Sequence, residues 1–216
     1  GRIMIKNLKT LLGAITILTF SISTAYSANL GVSLMYGQVE TDGTETERTV
    51  TSITSETNST SKEENYFGGS IFLEQEVGPL VLGLDVVPFA IELGSGSRTD
   101  TTSDSKESTQ QDGTVTASAS LDFLTTIYAQ YPIGNFYAGL GYHMVDVTTD
   151  EKLHTSTYGD ESINGYQYAV GMNSGSLRYE LSYSDFDDIS LTSSNGDKIE
   201  ADADNVMFKL SYIFGK

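Results

Sequence analysis

The sequence has no cysteine among its 216 residues. Disulfide bonds, a thiol nucleophile and cysteine-based metal sites are therefore excluded. A folded chain without these links depends on hydrogen bonding and packing. A closed barrel, in which neighbouring strands satisfy one another's backbone, meets that need even in lipid.

Positive charge is scarce. The chain carries 12 Lys and Arg against 29 Asp and Glu, which gives a formal net charge of −17. Binding to phosphate backbones requires clustered Lys and Arg, so this balance excludes nucleic acid as a partner.

Long apolar runs are absent as well. The longest begins at Leu11 and ends at Ile22, and Thr16 and Thr19 interrupt it, whereas a membrane-spanning helix needs roughly 20 apolar residues. Positive residues precede this run, and the small residues of Ala25-Tyr26-Ser27 follow it. The pattern predicts a signal peptide over residues 1–27, cleaved after Ser27, and one barrel domain over residues 28–216. Residues 1–3 precede Met4 and are interpreted as an addition ahead of the natural start.

The end of the chain alternates with a strict period of two. One face carries only apolar side chains: Val206, Phe208, Leu210, Tyr212 and Phe214. Behind an export signal, such a strand predicts the closing strand of an outer-membrane barrel with its apolar face toward lipid. It resembles the C-terminal strand by which outer-membrane proteins are recognised for insertion, although here Gly215 and Lys216 follow the last aromatic residue.

Seven further segments alternate in the same way. They begin near Leu30, Phe67, Leu80, Ala117, Phe136, Tyr166 and Leu177. Three tight turns, at residues 77–80, 132–135 and 173–176, alternate with four polar stretches at residues 40–65, 94–114, 146–162 and 185–205. We therefore predict an all-β fold, an eight-stranded antiparallel up-and-down transmembrane barrel with four long extracellular loops and three short periplasmic turns. A soluble lipocalin-like carrier is the alternative, but it would place the apolar faces inside.

This pattern resembles the small outer-membrane barrels, namely the OmpA-type transmembrane domain and its OmpX-like relatives. The resemblance covers residues 28–214 and rests on alternation rather than on a specific motif. It implies location in the bacterial outer membrane, with lipid, lipopolysaccharide and the barrel-assembly machinery as partners, and a monomer.

Charged residues on the inward faces predict an ion-pair network. Its members are Glu74, Glu76, Asp85, Asp122, Arg178, Glu180 and Lys209. Charges in a narrow interior must pair, because an unpaired buried charge costs several kcal/mol. We interpret the network as a structural plug; a gate that opens a channel is the alternative.

Pro88 interrupts the third strand and removes a ladder hydrogen bond. We expect a bulge at the outer rim, after which Phe89, Ile91 and Leu93 turn outward. A weak strand pair that opens a lateral path for a small hydrophobic molecule is the other interpretation.

Catalytic chemistry is not indicated. His143 is predicted to face inward and His154 lies in the third polar stretch, and neither has a second ligand at zinc spacing. No order of Ser, His and Asp suggests a nucleophile. We therefore expect no enzymatic activity, no cofactor and no metal centre.

The polar stretches hold most of the negative charge. They lack the ligand spacing of a calcium motif, yet divalent cations are expected to bridge them to other anionic surfaces. Because eight strands enclose little free space, we expect a structural or surface-interaction role, in adhesion or envelope integrity, through these stretches. A narrow passive pore or a channel for small hydrophobic molecules is the alternative.

Overall fold

The computed structural model describes residues 28–46, 57–100, 113–152, 157–194 and 197–215. The predicted signal peptide, His154 and Lys216 lie outside these ranges. The described residues form ten strands: β1 (Asn29–Thr46), β2 (Thr57–Val77), β3 (Leu80–Val86), β4 (Ile91–Asp100), β5 (Gly113–Ile133), β6 (Phe136–Lys152), β7 (Glu161–Ser174), β8 (Leu177–Phe186), β9 (Ile189–Thr192) and β10 (Lys198–Ile213).

The strands form one closed antiparallel ring. β3 and β4 pair with successive parts of β5, and β8 and β9 pair with successive parts of β10. β10 also pairs with β1 over residues 31–46, which closes the ring. The predicted eight-stranded barrel is therefore confirmed, with two of its eight strands each divided in two.

The three predicted tight turns are present at one end of the barrel. Each has two residues between its strands, and the first is a glycine: Gly78, Gly134 and Gly175. Their φ angles are 62°, 65° and 61°. Hairpin turns with φ > 0 at the first central residue suit the twist of the flanking strands, and glycine adopts that conformation without a steric cost.

The polar stretches differ from the prediction. Residues 40–46 and 57–65, for example, were predicted to be loop but lie in β1 and β2, whose ladder continues to the pair Thr46 and Thr57. The physical reason is that hairpin ladders do not require an apolar face, and threonine favours the extended backbone. At the end opposite the tight turns, paired strands therefore extend the barrel beyond its apolar surface; we call these extensions the hairpins.

The outer face of the barrel is apolar. Val206, Phe208, Tyr212 and Phe214 are 46–50 % exposed, and Leu210 is partly exposed. The alternate side chains of β10 face inward and are buried: Met207, Lys209, Ser211 and Ile213. A soluble carrier would bury the first set, so this arrangement suits contact with lipid.

Two irregularities change the predicted faces. Between Asp122 and Thr125, β5 contains a bulge, where Phe123 has a φ of 55°. The extra residue reverses the alternation, so Leu121, predicted to face outward, is buried inside the barrel. At Pro88 the predicted reversal does not occur. The four residues between β3 and β4 preserve the alternation of inward and outward side chains.

The prediction for the segment after Pro88 is therefore wrong in part. Ile91 and Leu93 are 6 % and 3 % exposed and face inward, and only Phe89 turns outward. Val87 donates its backbone N–H to the Leu124 carbonyl at 2.9 Å, which ties the interruption to the bulge in β5.

Candidate functional site: the closed barrel interior

The first element of the interior is a two-bond ion pair. Arg178 lies directly beyond the turn that joins β7 to β8, and its Nη1 and Nη2 donate to Glu74 at 2.8 and 3.0 Å. Their side chains are 4 % and 0 % exposed. β8 and β2 are not neighbours in the ring, so the pair spans the interior rather than following the wall.

The second element is centred on Lys209. Its Nζ lies 2.6 Å from Asp85 Oδ2 and 3.6 Å from Glu180 Oε1. Tyr137 Oη donates a 2.6 Å hydrogen bond to Glu180. Charged hydrogen bonds of this length are strong in a dry environment, and breaking one leaves a buried charge without a partner.

Aromatic rings hold Arg178 from two sides. Its guanidinium carbon lies 5.5 Å from the centre of the Phe72 ring and 5.4 Å from that of Tyr137. Cation–π contacts with both rings stabilise the planar guanidinium group. Tyr128 Oη completes the surroundings with a 3.3 Å hydrogen bond to Glu74.

Glycines on neighbouring strands admit these rings. A Cβ at Gly83 would lie 2.0 Å from Tyr128 Cζ, and one at Gly171 would lie 2.3 Å from Tyr137 Cζ. Each ring therefore lies flat against backbone, a packing that only glycine allows. The glycines determine where the tyrosine hydroxyls meet the carboxylates.

The structure brings five of the seven predicted network residues together. We call Glu74, Asp85, Arg178, Glu180 and Lys209 the ion-pair cluster. Glu76 is exposed at the rim near the Gly78 turn, so its predicted place in the interior is wrong. Asp122 is also separate: the bulge places it on the outward side, where it accepts a 2.5 Å hydrogen bond from Thr148.

The other half of the interior is apolar, which sequence reasoning missed. We call it the apolar half; its buried members are Met35, Val39, Val87, Ile91, Leu93, Leu121, Leu124, Val145, Val147, Ile163, Phe186, Ile189, Leu191, Ala203 and Met207. Several of them fall in stretches read as polar loops. The alternation Ile189-Ser190-Leu191-Thr192 was the available signal.

His143 lies close to the boundary between the two halves. It is 2 % exposed, its Nδ1 is 2.8 Å from Thr126 Oγ1, and its Nε2 is 2.9 Å from Ser184 Oγ. Its ring stacks on Phe186 at 5.3 Å. Both ring nitrogens have hydroxyl partners, which suits a packed, neutral imidazole.

Segment 157–160 crosses the end of the barrel above the apolar half. Tyr158 packs on the apolar half and donates from Oη to Glu45 on β1 at 2.8 Å. Burial, together with this hydrogen bond, raises the pKa of Tyr158. Ser194 donates its backbone N–H to the Thr157 carbonyl at 2.9 Å, so the segment links three hairpins.

The outer hairpins gather carboxylates on their exposed faces. In the β1 and β10 ladders, Glu40 lies opposite Asp204, and Asp42 lies opposite Asp202. A hydrogen bond with Asp188, and the negative charge of that residue, raise the pKa of Asp202. Within the described ranges, no three His, Asp or Glu side chains converge as metal ligands.

No described segment forms a helix of the length and apolar character required to cross a membrane.

No protein-family model matches this chain, and no curated protein matches it. Among solved structures, it is similar to the outer membrane protein OprG from Pseudomonas aeruginosa, with 12% identity over 88% of this chain and 98% of that chain and a TM-score of 0.55. This likeness supports the fold alone.

Two other solved structures have lower scores and add nothing to the argument. Neisserial surface protein A matches with 9% identity, over 80% of this chain and 95% of that one, at a TM-score of 0.34. Ail, the attachment invasion locus protein of Yersinia pestis, matches with 9% identity, over 85% and 99%, at 0.37.

Proposed function

We propose that this chain is an integral outer-membrane protein with a closed interior, and that it acts through its acidic hairpins in adhesion or envelope integrity. The observation that carries the proposal is that side chains fill both halves of the barrel interior. The ion-pair cluster occupies the half near the short turns, and the apolar half fills the remainder. A barrel filled at both levels leaves the hairpins as its accessible working surface.

The outer face supports the membrane location. Large apolar side chains are exposed on each of the eight strands of the ring, such as Leu34 on β1, Phe67 on β2, Leu140 on β6 and Leu181 on β8. A continuous apolar surface of this kind is stable in lipid rather than in water. In this proposal the short turns lie in the periplasm and the hairpins lie outside the cell, and the barrel-assembly machinery recognises the last strand.

The described parts of the hairpins are suited to a surface role because they form paired strands and are negatively charged. The ladder between β1 and β2 keeps Glu40 opposite Glu63, and Tyr158 connects this hairpin with the segment that follows β6. Rigid hairpins lose less entropy than flexible loops when they bind a partner. Repulsion from anionic lipopolysaccharide is relieved where divalent cations lie between the two surfaces.

Shortening one hairpin tests the proposal. In one variant an Asn-Gly turn joins Glu40 directly to Glu63, its ladder partner. A second variant keeps the full hairpin and changes Glu40, Asp42 and Glu63 to the corresponding amides, so that the loss of negative charge is tested separately from the loss of length. The proposal predicts that cells with the shortened barrel lose adherence or SDS resistance, although the barrel still shifts mobility on heating. Cells that behave like wild type with all four hairpins shortened would contradict it.

A second candidate function rests on the wall near Pro88. Within the described ladders, residues 57–70 of β2 pair with β1 alone, and β4 pairs with β5 alone. We call the boundary between residues 57–70 of β2 and the neighbouring β4 the seam. It borders Ile91 and Leu93 of the apolar half. It supports the alternative of a lateral path for small hydrophobic molecules.

A further inference from the structure

The ion-pair cluster contains more acid than base. Glu74, Asp85 and Glu180 supply three carboxylates, whereas Arg178 and Lys209 supply two cations. All five residues are at most 9 % exposed. An unbalanced charge is costly in such a place, because surrounding water cannot stabilise it.

The hydrogen-bond donors are divided unequally among the three carboxylates. Glu74 accepts two bonds from Arg178 and one from Tyr128, and Glu180 accepts a 2.6 Å bond from Tyr137. Arg178 therefore balances Glu74, whereas Asp85 and Glu180 share Lys209, whose Nζ lies 2.6 Å from the first and 3.6 Å from the second. The unbalanced charge falls on this pair of carboxylates.

Asp85 belongs to this pair, and one of its oxygens has no hydrogen-bond partner among the described residues. Lys209 binds Oδ2, but Oδ1 is buried without a hydrogen bond from any described residue. Asp85 lines a cavity of about 20 Å³, which is room for one water molecule or an ion of similar size. The same cavity is lined by the charged residues Arg178, Glu180 and Lys209 and by neutral oxygen-bearing side chains: Ser33, Gln130, Gln167 and Ser211.

We propose that this cavity is a binding site for a small monovalent cation of the size of Na⁺, with Asp85 Oδ1 as its charged ligand. Hydroxyl and amide oxygens are suitable further ligands for a hard cation. A single positive charge balances the ion-pair cluster. A water molecule would supply the missing hydrogen bond to Asp85 but would leave the excess negative charge of the cluster unbalanced.

A divalent ion fits the site less well. Such ions take several carboxylates in their coordination shell, and no group of three acidic or histidine ligands exists in the described residues. Two positive charges would also exceed the deficit and repel Lys209, whose Nζ is 2.6 Å from the other oxygen of Asp85.

The test uses the purified, folded full-length barrel in detergent. NaCl replaces choline chloride stepwise at constant ionic strength, so that screening of the surface charges does not change. The thermal unfolding midpoint and the linewidth of the sodium NMR signal are measured. A ligand that binds only the folded state raises the midpoint with the logarithm of its concentration, so we expect the midpoint to rise with Na⁺ and the sodium line to broaden.

Two variants locate the site. Gln130→Lys places an ammonium group in the cavity and should remove both the sodium dependence and the broadening. Gln167→Lys also places an ammonium group in the cavity, from another lining residue, and replaces Gln130→Lys in the experiment if that variant does not fold. Glu40→Gln, on the outer face, removes a negative charge far from the cavity and should retain both effects.

Three results would overturn the proposal. Equal midpoints in sodium and choline would mean that a proton or water alone occupies Asp85. Retention of the sodium effect in the folded lysine variant would place the bound ion elsewhere. Loss of the effect in Glu40→Gln would assign it to the hairpins.

Discussion

Arg178 and Glu74 face each other across the barrel interior, joined by two hydrogen bonds of 2.8 and 3.0 Å between strands that do not pair. Removing one member leaves the other charge buried. Arg178→Met should therefore lower the free energy of unfolding by about 3 kcal/mol. Urea unfolding in detergent measures this loss.

The control for Arg178 is the exposed pair of Lys198 and Glu200, which has a similar distance of 2.6 Å. Lys198→Met should cost less than about 1 kcal/mol, because exposed pairs contribute little. The double variant Arg178→Met with Glu74→Gln should recover part of the lost stability. Unchanged stability in Arg178→Met alone would mean that water reaches Glu74.

The contact of Tyr128 with Gly83 gives a second prediction. A Cβ at position 83 would lie 2.0 Å from Tyr128 Cζ, so Gly83→Ala should displace the ring and destabilise the barrel by about 1–3 kcal/mol. At Gly96, also in a strand, a Cβ would meet no atom within 4 Å. Gly96→Ala is therefore the matched control and should be neutral or slightly stabilising. Equal effects of the two alanines on the unfolding midpoint would contradict the packing argument.

The raised pKa of Asp202 predicts a dependence on pH. Its hydrogen bond with Asp188 makes the folded protein hold a proton that the unfolded chain would release. This contribution to stability is present at low pH and is lost as the pH rises through the folded pKa of Asp202.

Asp202→Asn should consequently be more stable than wild type at neutral pH, and the difference should disappear when the pH falls below the ordinary carboxyl pKa of 3.8. Unfolding midpoints measured across this range provide the test. Asp150→Asn, on the exposed face of β6, is the control. A stability difference for Asp202→Asn that does not vary with pH would refute the assignment.

The second candidate function predicts a consequence for Pro88. Pro88→Val supplies the backbone N–H that proline lacks, and so favours pairing along the seam. If the seam is a path, the variant should transfer the apolar fluorophore N-phenyl-1-naphthylamine into liposomes more slowly than wild type. Pro79→Val, in the turn at the opposite end, is the control. Equal transfer by wild type and Pro88→Val would remove this candidate.

The barrel itself could be predicted from the sequence because apolar and polar residues alternate with a period of two in nearly every strand. The same alternation placed Arg178, Glu180 and Lys209 on inward faces. It did not place Asp122, because the bulge at Phe123 reverses the faces with no glycine or proline to indicate it.

The apolar half was missed for a different reason. Its members are separated by polar residues that face outward, so Leu191 and Ala203 lie in stretches whose average composition suggests loop. The pairing of Asp85 with Lys209 likewise joins residues distant in sequence, and only ring closure brings their strands together.

Single-channel recording in a planar bilayer tests the closed interior most directly. Wild-type barrel should show no steady conductance of porin size. Arg178→Met should also remain silent, since the apolar half still fills the interior beyond the ion-pair cluster. Steady porin-sized conductance through the wild-type barrel, retained after the hairpins are shortened, would contradict the account.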